Sequence, residues 1–284
     1  MNLDPTTFLI AILLTSIAAG GTGAILGIGG GMLLVPILTM FFGVQLHYAM
    51  GASIVSVIAT SSGAAAAYLG SGIVNLRLGL FLATATTSGA ITGAYLAGVA
   101  PVRVLETILG LVLGYSAFAT FRQINVELPG ELPHSPLAER FALGGTYYDA
   151  RLGHDVTYRA TYVGRGYGVM YGAGVLSGLL GIGSGAFKVL AMDYFMKLPM
   201  KVSTATSNFM IGLTAAASTG VYFARGDVHP LLATPVAVGV LVGANLGTRV
   251  MMRMRNTTIR KAFLPVLVYL ALSMLYRGLG LHLW

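Results

Sequence analysis

Long, uninterrupted apolar segments constrain this chain more than any other feature of its sequence. Each is near or above the roughly 20 residues that a helix needs to cross a bilayer. Apolar residues follow one another continuously. The strands of a membrane barrel would instead require apolar and polar residues to alternate. We therefore predict an integral membrane protein built from helices. The segments lie at 8–42, 48–69, 78–100, 104–121, 167–195, 202–224, 231–250 and 262–281.

Charge and cysteine content exclude several other classes of protein. The net charge is +8, but the basic residues lie between the apolar segments and form no stripe interleaved with aromatic residues, which excludes nucleic acid as a partner. The chain has no cysteine, so it has no disulfide or thiolate metal site. Nothing in the sequence indicates a cofactor. Because no Lys or Arg precedes Arg77, the N-terminal segment lacks the positive start of a signal peptide and is interpreted as a retained membrane element.

One polar stretch interrupts the apolar pattern near the middle of the chain. Residues 122–165 contain Tyr- and Thr-rich runs on either side of the letters LGHD, a pattern that predicts a small β-hairpin. The stretch is too short to bury much of a core, so we do not expect a separate enzyme domain. We expect a first membrane repeat over 1–121, a polar insert over 122–165 and a second membrane repeat over 166–284.

The two membrane regions are related by an internal duplication with an offset of 154 residues. The letters LGIG recur at 26–29 and 180–183. The same offset, without a gap, pairs Gly31 with Gly185, Ser53 with Ser207, Thr60 with Thr214 and Tyr68 with Tyr222. We expect the two tyrosines to belong to an aromatic belt at the membrane surface.

The distribution of basic residues decides between parallel and inverted repeats. Eight simple spans would give parallel repeats and divide these residues evenly between the two sides of the membrane. If the first segment of each half is instead a re-entrant hairpin, 13 of the 17 Lys and Arg residues lie on one side, Arg103, Arg225 and Arg277 lie on the other, and Lys188 is in the membrane. The positive-inside rule favours this arrangement. The predicted fold is an all-α membrane protein with two inverted repeats, each a re-entrant helical hairpin plus three transmembrane helices, with both termini outside and the insert in the cytoplasm.

Glycine-rich motifs lie where each hairpin must reverse, at 27–31 and 181–185. Glycine permits the break and a close approach by a ligand. Secondary transporters hold anions at the positive N-terminal ends of such broken helices, and hydroxyl or amide side chains can add neutral donors. The candidate substrate site comprises Gly29, Gly30, Gly31, Ser53, Gly183, Ser184, Gly185, Lys188, Ser207 and Asn208.

Lys188 is the one basic residue that this topology leaves inside the membrane. It lies three residues past the second motif and aligns with Leu34. An ionisable residue at membrane depth is expensive and therefore indicates a function. One interpretation is contact with the anion. The other is snorkelling toward the membrane surface, or pairing with a carboxylate such as Asp193.

The glycine motifs also have alternative interpretations. Close helix packing suits Gly89/Gly93 and Gly243/Gly247, which are small-xxx-small pairs, better than it suits the clustered glycines of the two apices. A dinucleotide-binding loop would need a soluble βαβ unit around it, and the sequence predicts none. Ser184 could be drawn as the nucleophile of an intramembrane serine hydrolase, but none of the five histidines falls at mid-depth in a span to act as its base. We therefore do not expect an enzyme.

These motifs resemble those of the TauE/SafE sulfite exporter family, also called the 4-toluene sulfonate uptake permease family. The resemblance rests on GxGGGxxxVP from Gly27 to Pro36, on GASIVSVIATSSGAA, and on GIGSGAF followed by STATSNFMI. It covers nearly the whole chain apart from the insert, which departs from the family pattern. The family motif positions fall on Gly27, Gly29, Gly30, Gly31, Pro36, Gly51, Ser53, Gly181, Gly183, Gly185, Ser207 and Asn208.

The resemblance implies an inner-membrane permease for small sulfur-containing anions such as sulfite, sulfoacetate or other organosulfonates. A cytoplasm held negative favours anion exit by about 2.3 kcal/mol per charge per 100 mV, so export by alternating access needs no coupling ion. The runner-up is proton-coupled uptake of an organosulfonate or organic acid. The expected partners are the small anionic substrate and the lipid bilayer, and a homodimer is left open.

Overall fold

The computed structural model describes residues 5–26, 29–70, 72–122, 135–149, 153–251 and 256–280, and they are mostly helical. Eleven α-helices occur in these ranges, and a π-helical turn (Ala191–Phe195) continues the eighth. The helices are α1 (Pro5–Leu26), α2 (Gly31–Met40), α3 (Leu46–Gly70), α4 (Leu76–Ala97), α5 (Val102–Arg122), α6 (Pro136–Arg140), α7 (Val163–Leu180), α8 (Gly185–Leu190), α9 (Met200–Ala224), α10 (Pro230–Met251) and α11 (Asn256–Gly278).

Within the described residues, five helices are long and apolar enough to cross a membrane. They are α1, α3, α4, α5 and α10. Helix α9 is as long as α3, at 25 residues each. Its Ser, Thr and Asn side chains make it more polar than α3, and most of its residues are buried. A helix of this kind suits the interior of a bundle, where its polar side chains find protein partners and avoid lipid.

The helix bounds repeat at the 154-residue offset found in the sequence. Helices α3 and α9 both have 25 residues, α4 and α10 both have 22, and each pair begins and ends 154 residues apart. A turn contact also recurs. The Val44 N–H donates to the Leu38 carbonyl at 3.0 Å, and the Leu198 N–H donates to the Met192 carbonyl at 3.0 Å. The duplication therefore extends from sequence to backbone geometry.

Glycines bring the first helix of each repeat against a helix of the other repeat. A Cβ added at Gly243 would collide with the Ile17 carbonyl, and one added at Gly247 would collide with the Gly21 carbonyl, so α1 and α10 run parallel in close contact. Gly89 and Gly93 meet Tyr171 and Val175 in the same way between α4 and α7. The structure thus places the small-xxx-small pairs in helix packing, as the sequence indicates.

Helices α5 and α11 pack against each other in opposite directions. Gly278 lies against Thr107, Gly110 against Leu275, and Gly114 against Ala271, so one residue number rises as the other falls. The two helices occupy equivalent positions at the 154-residue offset, with first residues Val102 and Asn256.

The insert between α5 and α7 has its own small structure. Strands β1 (Gly145–Asp149) and β2 (His154–Tyr158) form an antiparallel hairpin, with Thr146 opposite Thr157. Residues 123–134 and 150–152 of the insert lie outside the described residues, and the sheet and the short helix α6 are the regular elements in the rest of it. The sheet is the one observed departure from an all-α fold within the described ranges.

Candidate functional site

Both hairpins break at glycines in the left-handed backbone conformation. Gly29 has φ +72° and Gly183 has φ +74°, values that favour glycine because it has no Cβ. In the first hairpin the chain has reversed by Gly30, where a Cβ would lie 3.4 Å from Gly20 Cα. Gly27 and Ile28 of the first motif lie outside the described residues.

The two breaks lie against the same pair of side chains. A Cβ at Gly29 would lie 3.4 Å from Ile211 and 3.8 Å from Val57, and a Cβ at Gly183 would lie 3.0 Å and 2.8 Å from them. Val57 is near the middle of α3, and Ile211 is near the middle of α9. The structure therefore brings the two glycine motifs together at the centre of the bundle.

Side-chain donors occupy the carbonyls that each break exposes. Tyr68 donates its hydroxyl to the Ala24 carbonyl at 3.1 Å, and Tyr222 donates to the Gly178 carbonyl at 2.7 Å. Asn208 Nδ2 also donates to Ala24, at 3.1 Å, and Ser53 Oγ donates to Gly181 at 2.7 Å. Unpaired carbonyls at a buried helix end would be costly, so these donors stabilise both breaks.

The aromatic-belt interpretation of the two tyrosines is wrong. Tyr68 and Tyr222 are both fully buried, and each reaches back to cap the helix that precedes its own hairpin break. The hydroxyl accounts for this placement, because it supplies the donor that a broken helix lacks.

The other side of each break has the opposite polarity. Helices α2 and α8 begin at Gly31 and Gly185, and the first turn of a helix leaves N–H groups without intrahelical acceptors. The positive end of the helix dipole lies at these same residues. Side chains occupy the Ala24, Gly178 and Gly181 carbonyls, whereas the first N–H groups of α2 and α8 have no intrahelical acceptor, an arrangement that suits an anion.

Lys188 is enclosed by protein, one turn into α8. Its side chain is fully buried, so it does not snorkel to a surface. Lys188 Nζ donates to Thr214 Oγ1 at 2.8 Å, and Thr214 Oγ1 lies 3.0 Å from Thr86 Oγ1. Lys188 therefore joins α8 to the middle of α9 and α4 through a chain of hydroxyl groups.

Several buried polar atoms have no hydrogen-bond partner in the part of the chain that the structure describes. Ser184 Oγ and Ser177 Oγ belong to the second hairpin, and Asn208 Oδ1 belongs to the side chain that donates to Ala24 at the first break. Ser184 also holds the left-handed conformation, with φ +46°. A buried polar group without a partner is unfavourable and calls for an explanation such as a ligand.

All ten predicted site residues are buried, and most lie around the two breaks. Gly31 packs on Ser53 and Val57, Gly30 lies beside Thr60, and Ser207 Oγ donates to the Gly185 carbonyl at 3.3 Å. Lys188 differs, since its hydrogen bond is to Thr214 and not to the predicted site residues.

Sequence reasoning missed three residues at this centre. Val57 and Ile211 lie 154 residues apart, so their equivalence in the duplication was a signal that could have pointed to them. Thr86 carried no such signal, because its counterpart at the same offset is Val240. Its role emerges only when α4 packs on α9.

The described residues place no histidine beside Ser184 and form no metal-binding cluster. Among the described histidines, His47 lies in the first turn of α3, His154 in β2 and His229 just before α10; His134 and His282 lie outside the described residues. The described ranges also hold no cluster of three or more His, Asp or Glu side chains able to bind a metal ion.

Comparisons with known proteins extend over nearly the whole chain. The family described as sulfite exporter TauE/SafE matches residues 12–274. The probable membrane transporter protein YunE of Bacillus subtilis (strain 168) is 26% identical over 280 residues, which cover 96% of this chain and 99% of the relative. The probable membrane transporter protein YdhB of the same organism is 26% identical over 257 residues, which cover 90% and 91%. No solved structure matches the chain.

The family match confirms the resemblance seen in the glycine motifs. Together with the five apolar helices, it identifies a multi-pass membrane protein. The chain belongs to the sulfite exporter TauE/SafE family.

Proposed function

We propose that this protein is an inner-membrane permease that exports a small sulfur-containing anion, such as sulfite, sulfoacetate or a related organosulfonate, by alternating access. The observation that carries the proposal is the polarity of the two hairpin breaks. Three carbonyls at the breaks accept hydrogen bonds from Tyr68, Tyr222, Asn208 and Ser53, while the first N–H groups of α2 and α8 have no intrahelical acceptor.

The second hairpin supplies the remaining features of an oxyanion site. Lys188 brings a buried amino group, which a bound anion would favour in its protonated form, and Ser184 brings a hydroxyl without a partner among the described residues. A small tetrahedral or pyramidal oxyanion accepts hydrogen bonds on several sides, as this mixture of backbone and side-chain donors requires. Sulfur is inferred from the family, whose description names sulfite.

We further propose that the repeats are inverted, with both termini outside and the insert in the cytoplasm. Helices α5 and α11 are equivalent in the duplication yet antiparallel, which supports an axis in the membrane plane. Single cysteines replacing Phe41, Thr146 and Leu279, all exposed, test the orientation. Impermeant thiol reagents should label the first and third from outside intact cells and the second only from inside. Labelling of Phe41→Cys only from the cytoplasm would contradict the hairpin.

Export follows from the charge of the substrate. Each negative charge leaving a cytoplasm at −100 mV releases about 2.3 kcal/mol, so no coupling ion is required. We propose a uniport or simple antiport. Proton-coupled uptake of an organosulfonate or organic acid is the alternative, and the two differ in what drives them.

Flux measurements in proteoliposomes separate these functions. Vesicles loaded with sulfite or sulfoacetate should release it faster as the interior is made more negative at constant pH, relative to protein-free vesicles. Uptake that follows an imposed pH gradient and ignores the potential would favour the alternative. Absence of flux for either anion, and for thiosulfate, would contradict an anion permease for this class of substrate.

We propose no catalytic role for Ser184. An activity-based serine probe should therefore leave the protein unlabelled, both in detergent and in vesicles. Stoichiometric labelling that is lost in Ser184→Ala would instead support the intramembrane hydrolase.

A further inference from the structure

The hairpin of the insert is attached to the membrane helices through a buried ion pair. Lys201 Nζ lies 2.8 Å from Asp149 Oδ1, and the two side chains are only 10% and 7% exposed. The Tyr147 hydroxyl donates to the other carboxylate oxygen of Asp149 at 3.4 Å. Burial, with Asp149 nearby, raises the pKa of Tyr147, so its phenol stays protonated and remains a donor.

Asn75 joins the insert to two further elements. Its Nδ2 donates to the Leu143 carbonyl at 3.0 Å and to the Tyr158 hydroxyl at 3.2 Å, both in the insert. Its Oδ1 accepts from the Leu78 N–H at 3.0 Å and thereby caps α4. Its own N–H donates to Thr206 of α9 at 3.1 Å. One side chain and its backbone thus connect the insert, α4 and α9.

Thr161 makes the third attachment, where the insert leads into α7. Its N–H and its hydroxyl both donate to the Met196 carbonyl, each at 3.1 Å. Met196 is the C-cap of the π-helical turn that continues α8. The insert therefore holds the near ends of α4, α9 and α8, the three elements that carry Thr86, Thr214 and Lys188.

The equivalent positions at the opposite end of the bundle have different contacts. The counterparts of Asn75, Lys201 and Met196 at the 154-residue offset are His229, His47 and Phe42. There, the rings of Tyr48 and His229 lie 6.2 Å apart and those of Phe8 and Phe42 lie 5.7 Å apart. At the His229 and Phe42 positions, ring contacts therefore replace the hydrogen bonds that Asn75 and Met196 make with the insert, and the ion pair near this end joins Arg225 to Asp227 within one turn of chain.

We infer that residues 135–149 and 153–162 form a latch that closes the insert side of the substrate site and must release before the site opens to that side. The inference rests on the proposed function, since it names a gate for that same site. A buried ion pair suits a reversible contact, because each charge recovers its hydration on release and the net stabilisation is small. The latch therefore adds specificity to the closed state at a modest energetic cost.

Crosslinking across the latch tests this inference, and the chain has no native cysteine to interfere. The double variant Asp149→Cys/Lys201→Cys, bridged by a short bis-methanethiosulfonate reagent, ties the insert to α9. The matched control is Thr146→Cys/Thr157→Cys, which bridges two strand partners whose hydroxyls lie 3.1 Å apart and leaves the insert free to move as a unit. Anion flux should stop in the first bridged protein, continue in the second, and return on reduction. Equal flux in both would overturn the latch.

A readout that needs no substrate separates failure of the latch from failure of the proposed function. Thr204 is buried one turn along α9 from Lys201, so Thr204→Cys reports access from the insert side. A water-soluble maleimide should label it several-fold faster in the Asp149→Asn/Lys201→Gln background, which removes both charges, than in a background that keeps the pair. An unchanged labelling rate would overturn the latch even if the protein transports sulfite. Faster labelling without flux of any tested anion would uphold the latch and contradict the permease.

Discussion

The two hairpins share one backbone geometry and differ in chemistry. Gly29 and Gly183 have φ angles of +72° and +74°, and the same kind of tyrosine cap stabilises both breaks. Polar residues of the second half nevertheless stand at several positions where the first half has apolar residues or glycine. Examples are Ser184 and Gly30, Lys188 and Leu34, Ser203 and Ala49, and Asn208 and Ile54.

This difference shows that the two repeats can keep the same backbone break while only the second places a basic side chain, Lys188, beside it. The first hairpin contributes backbone donors and a close approach to Val57 and Ile211. The second adds the buried Lys188 side chain and the Ser184 hydroxyl, which has no partner among the described residues. We therefore expect substitutions in the second hairpin to affect anion binding more than the equivalent substitutions in the first.

The largest expected effect is at the hairpin breaks. Gly183→Leu should reduce transport to background, because a Cβ there would lie 2.8 Å from Val57 and 3.0 Å from Ile211 and would need a left-handed backbone. Gly29→Leu should reduce transport less, since its nearest contact would be 3.4 Å. Flux at matched expression measures both.

Gly172→Leu is the matched control for these two variants. It lies in α7 with nothing within 4 Å of an added Cβ, whereas Gly89 meets backbone and would disturb packing. Normal transport in Gly183→Leu would mean that the break is a packing feature. Equal loss in Gly172→Leu would mean that any large residue in this repeat is harmful.

Lys188→Met should weaken anion binding by about 1.5–3 kcal/mol, the range for a hydrogen bond to a charged group. That loss is about 10- to 150-fold in affinity, measurable by isothermal titration with sulfite. Methionine fills a similar apolar volume, so the fold should persist. Leu34→Met, at the equivalent position of the first hairpin, should bind normally.

Lys188→Arg sharpens the same test. It should recover only part of the affinity, because a planar guanidinium does not reproduce a compact ammonium. Unchanged affinity in Lys188→Met would place the anion elsewhere and leave the lysine as a structural partner of Thr214.

Ser184→Gly installs the residue of the first hairpin in the second and should have opposite effects on stability and binding. Glycine relieves the left-handed strain at φ +46°, so the free energy of unfolding should rise by about 1 kcal/mol. Loss of the hydroxyl should weaken anion binding by about 0.5–1.5 kcal/mol. Thermal unfolding with and without sulfite measures both effects. Lower stability together with unchanged binding would refute this account of Ser184.

The smallest expected effect is the difference in stability between variants of the two capping tyrosines. Tyr222→Phe should lower the free energy of unfolding by about 1 kcal/mol, because it removes the side-chain donor to the Gly178 carbonyl. Tyr68→Phe should cost less, since Asn208 still donates to Ala24. Chemical unfolding of the two variants in one detergent provides the comparison. The reverse order would mean that Asn208 does not substitute for the tyrosine.

Local sequence signals predicted the backbone better than the contacts of the site. The helix breaks at Gly29 and Gly183 followed from clustered glycines, and the hairpin around Thr146 and Thr157 followed from strand-forming residues next to a turn. The pairing of Lys188 with Thr214 and the capping role of Tyr222 depend on helices meeting across the bundle. The local sequence does not predict these contacts between helices, because serine, threonine and tyrosine have many roles in membrane helices.

The contact between α1 and α10 has a consequence for the synthesis and membrane insertion of the protein. Ile17 packs on Gly243, so the surface that buries the first helix is synthesised more than 200 residues after it. At about 5–20 residues per second, the first helix waits roughly 10–45 seconds for its partner. During that interval the small-residue face of α1 lies without its native partner. A ribosome that stalls before α10 leaves a chain whose first helix has no native neighbour on that face.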